Sequence, residues 1–212
     1  MGFGRALAAE LVRAGWEVVM DGRDREAVQR TAYETGAVAC PGDVTDEGHR
    51  NLLLDRPRLD LLVNNASSLG LSPLPRLEAH PLDAFRALLE TNVVAQLALV
   101  QAALPQLKRT GGSVINLTSD AAVEGYEGWG GYGASKAALE QLNAVLAVEN
   151  PTVRFWALDP GDMRTRMHQD AFPGEDISDR PDPEVVAPVV LRLLAERPPS
   201  GRIRAADLVV GQ

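Results

Sequence analysis

Short apolar runs alternate with stretches of helical periodicity along most of the chain. Phe3, Leu7, Leu11 and Ala14 recur at helical spacing, and Gly15 supplies a stop. "WEVVM" (Trp16 to Met20) is short, apolar and β-branched, which predicts a buried strand. A helix is predicted from Asp24 to Tyr33, then a strand over "AVAC" (Ala37 to Cys40). A short helix from Asp46 to Leu54 and a buried strand over "LDLLV" (Leu59 to Val63) follow. The Pro-rich "SLGLSPLPRLEAHP" reads as a loop. Two long helices are predicted, from Leu82 to Leu107 with a bend at Pro105, and from Gly133 to Glu149. The strand "SVINL" (Ser113 to Leu117) separates them. "VRFWAL" (Val153 to Leu158) is a strand, and residues 162–183 are polar and breaker-rich, a loop or lid around a short helix. Glu184 to Glu196 reads as a helix, "RPPSG" as a linker and "DLVV" (Asp207 to Val210) as a last strand.

Strands alternating with helices imply an α/β fold with a doubly wound parallel sheet, Rossmann-like, in a single domain over residues 1–212. Ligands of such sheets bind outside the carboxyl ends of the strands. The polar and glycine-rich signals fall there: "DGRD" after Met20, "GDV" after Cys40, "NNAS" after Val63, "TSD" after Leu117 and "DPGD" after Leu158. Gly2 and Gly4 lead directly into the first helix, an arrangement that cradles phosphate when a strand precedes it.

Composition narrows the function classes. A net charge of -8 argues against nucleic acid and anionic membrane as main partners. The single cysteine, Cys40, excludes an internal disulfide and fits a reducing, cytoplasmic setting. No apolar run reaches the ~18 residues of a membrane span, and His49, His80 and His168 lack metal-ligand spacing.

Tyr132 and Lys136 stand four apart at the start of a predicted helix, hence on one face. A nearby ammonium lowers a phenol's pKa from its usual ~10, so the pair can serve as a general acid/base. Ser119 lies just past a strand at the same rim, thirteen residues earlier. Its hydroxyl could hold a carbonyl oxygen against Tyr132, or simply satisfy loop backbone. Asn92 sits among apolar residues inside the Leu82 to Leu107 helix. It is either a helix-bridging amide or one that holds a water near the rim.

Together these residues resemble the short-chain dehydrogenase/reductase family, single-domain type. The matching pieces are "GFG", "GDV", "NNAS" in place of Asn-Asn-Ala-Gly, "TNV", "INLTS", "YGASK" and "DPGDMRT", in the family's order over nearly the whole chain. The resemblance implies Tyr132 as acid/base, Ser119 as carbonyl holder, Lys136 as pKa modulator and ribose ligand, and Asn92 as anchor of a proton-relay water. It implies cofactor contacts at Gly2, Phe3, Gly4, Asp43, Val44, Asn64, Asn65, Ala66, Pro160, Gly161, Met163 and Thr165. Gly22 takes the position where NAD-using members carry an acid, and Arg23 follows. A guanidinium suits a 2′-phosphate, which favours NADP, with NAD the alternative through Asp21 or Asp24. A finer similarity to sepiapterin reductase-like carbonyl reductases covers "NNASSLG" and the segment around "GWGGYGASK". It points to a ketone or aldehyde, or the matching secondary alcohol, with Trp129, Glu124, Leu69 and the lid residues Met167 to Phe172 at the substrate.

The helix from Gly133 to Glu149 is apolar nearly all round, which predicts burial on a second side by another copy, as in a homodimer or homotetramer. The family's first strand and first loop glycine have no counterpart here. Either they lie upstream of Met1, the preferred reading, or the second and fourth strands rearrange around the gap. Met1 itself falls where NADP-using members carry a basic residue. That truncated loop is the one feature favouring the competing reading, a catalytically silent scaffold on the same fold.

Overall fold

A computed structural model describes residues 2–209, so the expectation attached to Met1 lies outside the described residues. Among the described residues, six parallel strands form two sheets. β1 (Val19–Gly22) pairs with β2 (Val38–Pro41), and β3 (Leu61–Asn64), β4 (Ser113–Leu117), β5 (Arg154–Asp159) and β6 (Gly201–Arg204) pair in that order. β1 and β3 do not pair with each other, so the strands do not rearrange to close the sheet. Both were expected to be buried, and both are only partly so, whereas β4 is buried throughout.

One helical layer contains α1 (Phe3–Arg13) and α9 (Pro188–Glu196). Phe3, Leu7 and Leu11 pack there with Ile115, Trp156, Leu158, Val190 and Leu193. The opposite layer contains α3 (Glu47–Leu54), α4 (Leu82–Leu89), α5 (Ala95–Thr110) and α6 (Gly130–Glu149). Val100, Ala103 and Leu107 of α5 pack there on Val114 and Phe155. Between β1 and β2 runs α2 (Arg25–Thr35), N-capped by Asp24, whose side chain accepts from the Ala27 N–H at 3.0 Å.

Four expectations are corrected. The long central helix is broken by a π-helical turn at Glu90–Val94, while Pro105 lies inside a continuing helix. The stretch Leu82–Thr110 is also long and apolar enough to cross a membrane by length and composition, contrary to the reading from runs alone. Here its residues Leu88, Ala95, Val100, Ala103 and Leu107 are core. Residues 162–183 contain the short helix expected there, α7 (Arg166–Ala171), whereas the single helix expected from Glu184 to Glu196 is divided into the one-turn α8 (Pro183–Val186) and α9. The last strand is β6, which starts at the final glycine of the supposed linker and runs beyond it, and the "DLVV" segment is helical in α10 (Ala205–Val209), with Val210 outside the described residues.

Candidate active site

Tyr132 and Lys136 occupy successive turns on the inward face of α6, 8% and 1% exposed. Lys136 Nζ donates to the Leu117 carbonyl at 2.8 Å and lies over the Tyr132 ring, 5.4 Å from its centroid. The lysine therefore ties the start of α6 to the end of β4. Gly133 makes that approach feasible: a Cβ there would fall 2.4 Å from the Ala121 carbonyl oxygen. Burial pushes the Tyr132 phenol up to about 12; its hydrogen bond with Ser67 opposes this, and the Asp159 and Asp120 carboxylates add to it. Burial pulls Lys136 down to about 8. The expected lowering of Tyr132 by Lys136 is thus absent here, because the ammonium faces the ring and a carbonyl while the phenol is desolvated.

Asn92 lies in the π-helical turn, fully buried, with its amide committed on both sides. Its Oδ1 accepts from the Ser68 N–H at 2.8 Å and from Ser67 Oγ at 3.4 Å; its Nδ2 donates to the Ser68 carbonyl at 2.9 Å and to Ser135 Oγ at 3.0 Å. Ser135 Oγ donates in turn to the Tyr132 carbonyl at 2.7 Å. Asn92 thus clamps the loop after β3 to the first turns of α6. Such π-turns recur at functional positions. Ser119 reaches the same rim from β4, but its Oγ donates to Asp120 Oδ1 at 2.8 Å and accepts from the Ala121 N–H at 3.2 Å. These bonds are those of the loop-satisfaction reading.

The expected cofactor positions divide into those that face outward and those that do not. Gly2 caps α1 with no side-chain hydrogen bond and no acid in the first turn, leaving N–H groups free for an anion. Gly4 touches Asn65, since a Cβ on Gly4 would fall 2.7 Å from Asn65 Nδ2. Arg23 is exposed and pairs with no carboxylate among the described residues. An uncapped helix start and an exposed guanidinium fit a phosphorylated dinucleotide. Asp43 is shaped by Thr45, whose N–H and hydroxyl donate to its Oδ1 at 2.9 and 2.8 Å and hold it below the usual carboxylate range. Val44 is buried, and its carbonyl accepts from Arg50.

Other side chains point elsewhere. Phe3 and Met163 belong to the core. Asn64 turns inward, donating to Asn116 Oδ1 at 2.8 Å, and Asn116 donates to Asn143 at 2.9 Å. Thr165 caps α7 by accepting from the His168 N–H at 3.2 Å. Ala66 offers its carbonyl to Gln96 Nε2 at 2.7 Å, and Pro160 and Gly161 lead out of β5 with Gly161 at φ 73°. Trp129 meets Tyr132 edge-on at 5.7 Å between centroids and Phe172 at 5.8 Å, so the segment after α7 reaches the start of α6.

Sequence reasoning missed Ser67, Ser135, Gln96 and Asp120. Only Ser67 carried a signal, as the residue replacing glycine in "NNAS".

The model of the short chain dehydrogenase family matches residues 1–176. The oxidoreductase YciK of Escherichia coli K12 is 32% identical over 210 residues, covering 92% of this chain and 82% of that protein. Mouse sepiapterin reductase is 34% identical over 191 residues, covering 79% of this chain and 73% of that protein. A short chain dehydrogenase from Shigella flexneri 2a, solved in complex with NADP, superposes with a TM-score of 0.86 at 30% identity, covering 97% of this chain and 92% of that one.

Proposed function

We propose, for a chain that belongs to the short-chain dehydrogenase family, an NADP(H)-dependent oxidoreductase that interconverts a ketone or aldehyde and the matching alcohol. The observation that carries this reading is the buried Tyr132–Lys136 pair of α6, tied by Lys136 to the end of β4 and by Asn92 and Ser135 to the loop after β3, with the turn after Ser119 packed on Gly133. When bound, the nicotinamide supplies or takes up the hydride. Every other step belongs to the chain. Tyr132 holds its proton firmly and gives it to the carbonyl oxygen during reduction. Ser119 exchanges its Asp120 contact for that same oxygen and fixes its position. Lys136, anchored on Leu117, presents its remaining protons to the cofactor ribose. Asn92 keeps the Ser67–Ser68 loop and α6 in register.

For the cofactor, Gly2 and Gly4 at the α1 start would receive the pyrophosphate, and Arg23 the 2′-phosphate. Asp43, Val44, Asn65, Ala66 and the Pro160–Thr165 segment would line its two ends, largely through backbone. The aromatic contact of Trp129 with Phe172 supports a carbonyl-reductase substrate held between α6 and the lid. The exposed apolar positions of α6, with Val148 83% and Val145 42% exposed, support pairing with a second copy. The test is NADPH consumption at 340 nm against a panel of ketones and diketones. Turnover with cofactor-induced thermal stabilisation is expected; neither would be seen for a silent scaffold.

A further inference from the structure

The adenosine end of the site contains a pair that the reaction does not use. Asp21 Oδ2 lies 3.3 Å from His49 Nε2, with the imidazole 7% and the carboxylate 27% exposed. The ring is fixed on three sides. Its residue sits in the first turn of α3, where Asp46 Oδ1 accepts the His49 N–H at 2.7 Å. The imidazole covers Gly42, where a Cβ would fall 2.2 Å from Nδ1. Its far nitrogen faces Asp21, which it reaches when that nitrogen carries the proton.

Two neighbours make this pair consequential. Gly22 carries no side chain, and a Cβ there would lie 2.9 Å from Val28 Cγ2 and require Val28 to shift, so the end of β1 itself presents no acid. Asp21 is the carboxylate that β1 carries, and Arg23 beyond it makes no close ion pair among the described residues, with the Asp43 carboxylate acting on it at longer range. A free carboxylate here would do two things. It would accept from a ribose hydroxyl, and it would repel a 2′-phosphate. A carboxylate already engaged by an imidazole does neither to the same extent.

We propose that His49 is a specificity-determining residue, which selects the 2′-phosphorylated nucleotide by holding the Asp21 carboxylate away from the ribose. This rests on the reading of the chain as a dinucleotide binder. It assigns the selection to a residue 26 positions from Arg23, on a different element.

The experiment measures dissociation constants of NADPH and NADH by nucleotide fluorescence, with no turnover required, on the full chain and its variants. His49→Leu is expected to weaken NADPH about tenfold and to leave NADH unchanged or tighter. His49→Gln, which keeps a donor, should stay near wild type. In His49→Leu/Asp21→Leu the freed carboxylate is gone and NADPH affinity should return. Asp21→Asn tests the same point with the histidine in place, and NADH affinity should not fall. Equal losses for both nucleotides in His49→Leu, or a marked NADH loss in Asp21→Asn, would overturn the proposal. A wild type that binds neither nucleotide would instead overturn the cofactor reading beneath it.

Discussion

Lys136 is a cation carried into the interior with one carbonyl for company. Burial pulls its pKa down to about 8, whereas in the unfolded chain it titrates near ~10.4. Below about pH 8 both states are protonated and the full burial penalty applies. Between about pH 8 and ~10.4 the unfolded chain binds a proton that the folded chain has released, so this residue's contribution to stability rises with pH. Chemical denaturation of wild type against Lys136→Met across that window should show the difference moving toward wild type by on the order of 1–3 kcal/mol. A flat or opposite slope would contradict the assignment. Tyr132, Lys136, Ser119 and Asn92 were legible as candidates, and Tyr132 and Lys136 as a pair because their spacing puts them on one helix face. Their hydrogen bonds were not legible: Asn92 was read as a possible water anchor, yet its amide is consumed by Ser68 and Ser135, which tertiary packing alone brings near.

At the scale of elements, α6 depends on a glycine that helix propensity disfavours. Gly133→Ala in an exposed helix interior would stabilise by roughly 1 kcal/mol. Here the new Cβ would press on the Ala121 carbonyl at 2.4 Å, so the substitution should destabilise by about 1–3 kcal/mol. It should also lower turnover, by displacing Tyr132 from Ser119. Urea denaturation measures the first effect, and a stabilised variant would refute the close approach. Elements with strong apolar periodicity, such as α1 and β4, were readable from sequence. The last strand was not, because β6 reads "GRIR". Its charges are explained only by the fold: Arg202 pairs with Asp159 at 2.7 Å and Glu140 at 3.0 Å, and Arg204 with Asp207 at 2.7 Å. β1 was placed too early for a related reason, since its polar end at Asp21–Gly22 reads as a turn yet pairs with Cys40–Pro41.

At the scale of the molecule, α/β order and parallel pairing followed from alternation along the chain, while the division into two sheets depends on which strands meet. The apolar face of α6 predicts a homo-oligomer at micromolar concentration by light scattering, and Val148→Glu should shift it toward the monomer mass. A monomeric wild type would remove that part of the account. The central claim is that Tyr132 moves the substrate proton within a cofactor-dependent hydride transfer. Its most direct measurement is NADPH oxidation at 340 nm by wild type and Tyr132→Phe, with NADPH binding measured alongside. The account predicts turnover by wild type and a loss on the order of 100-fold or more in the variant, with binding retained. Equal turnover by the two proteins would contradict it.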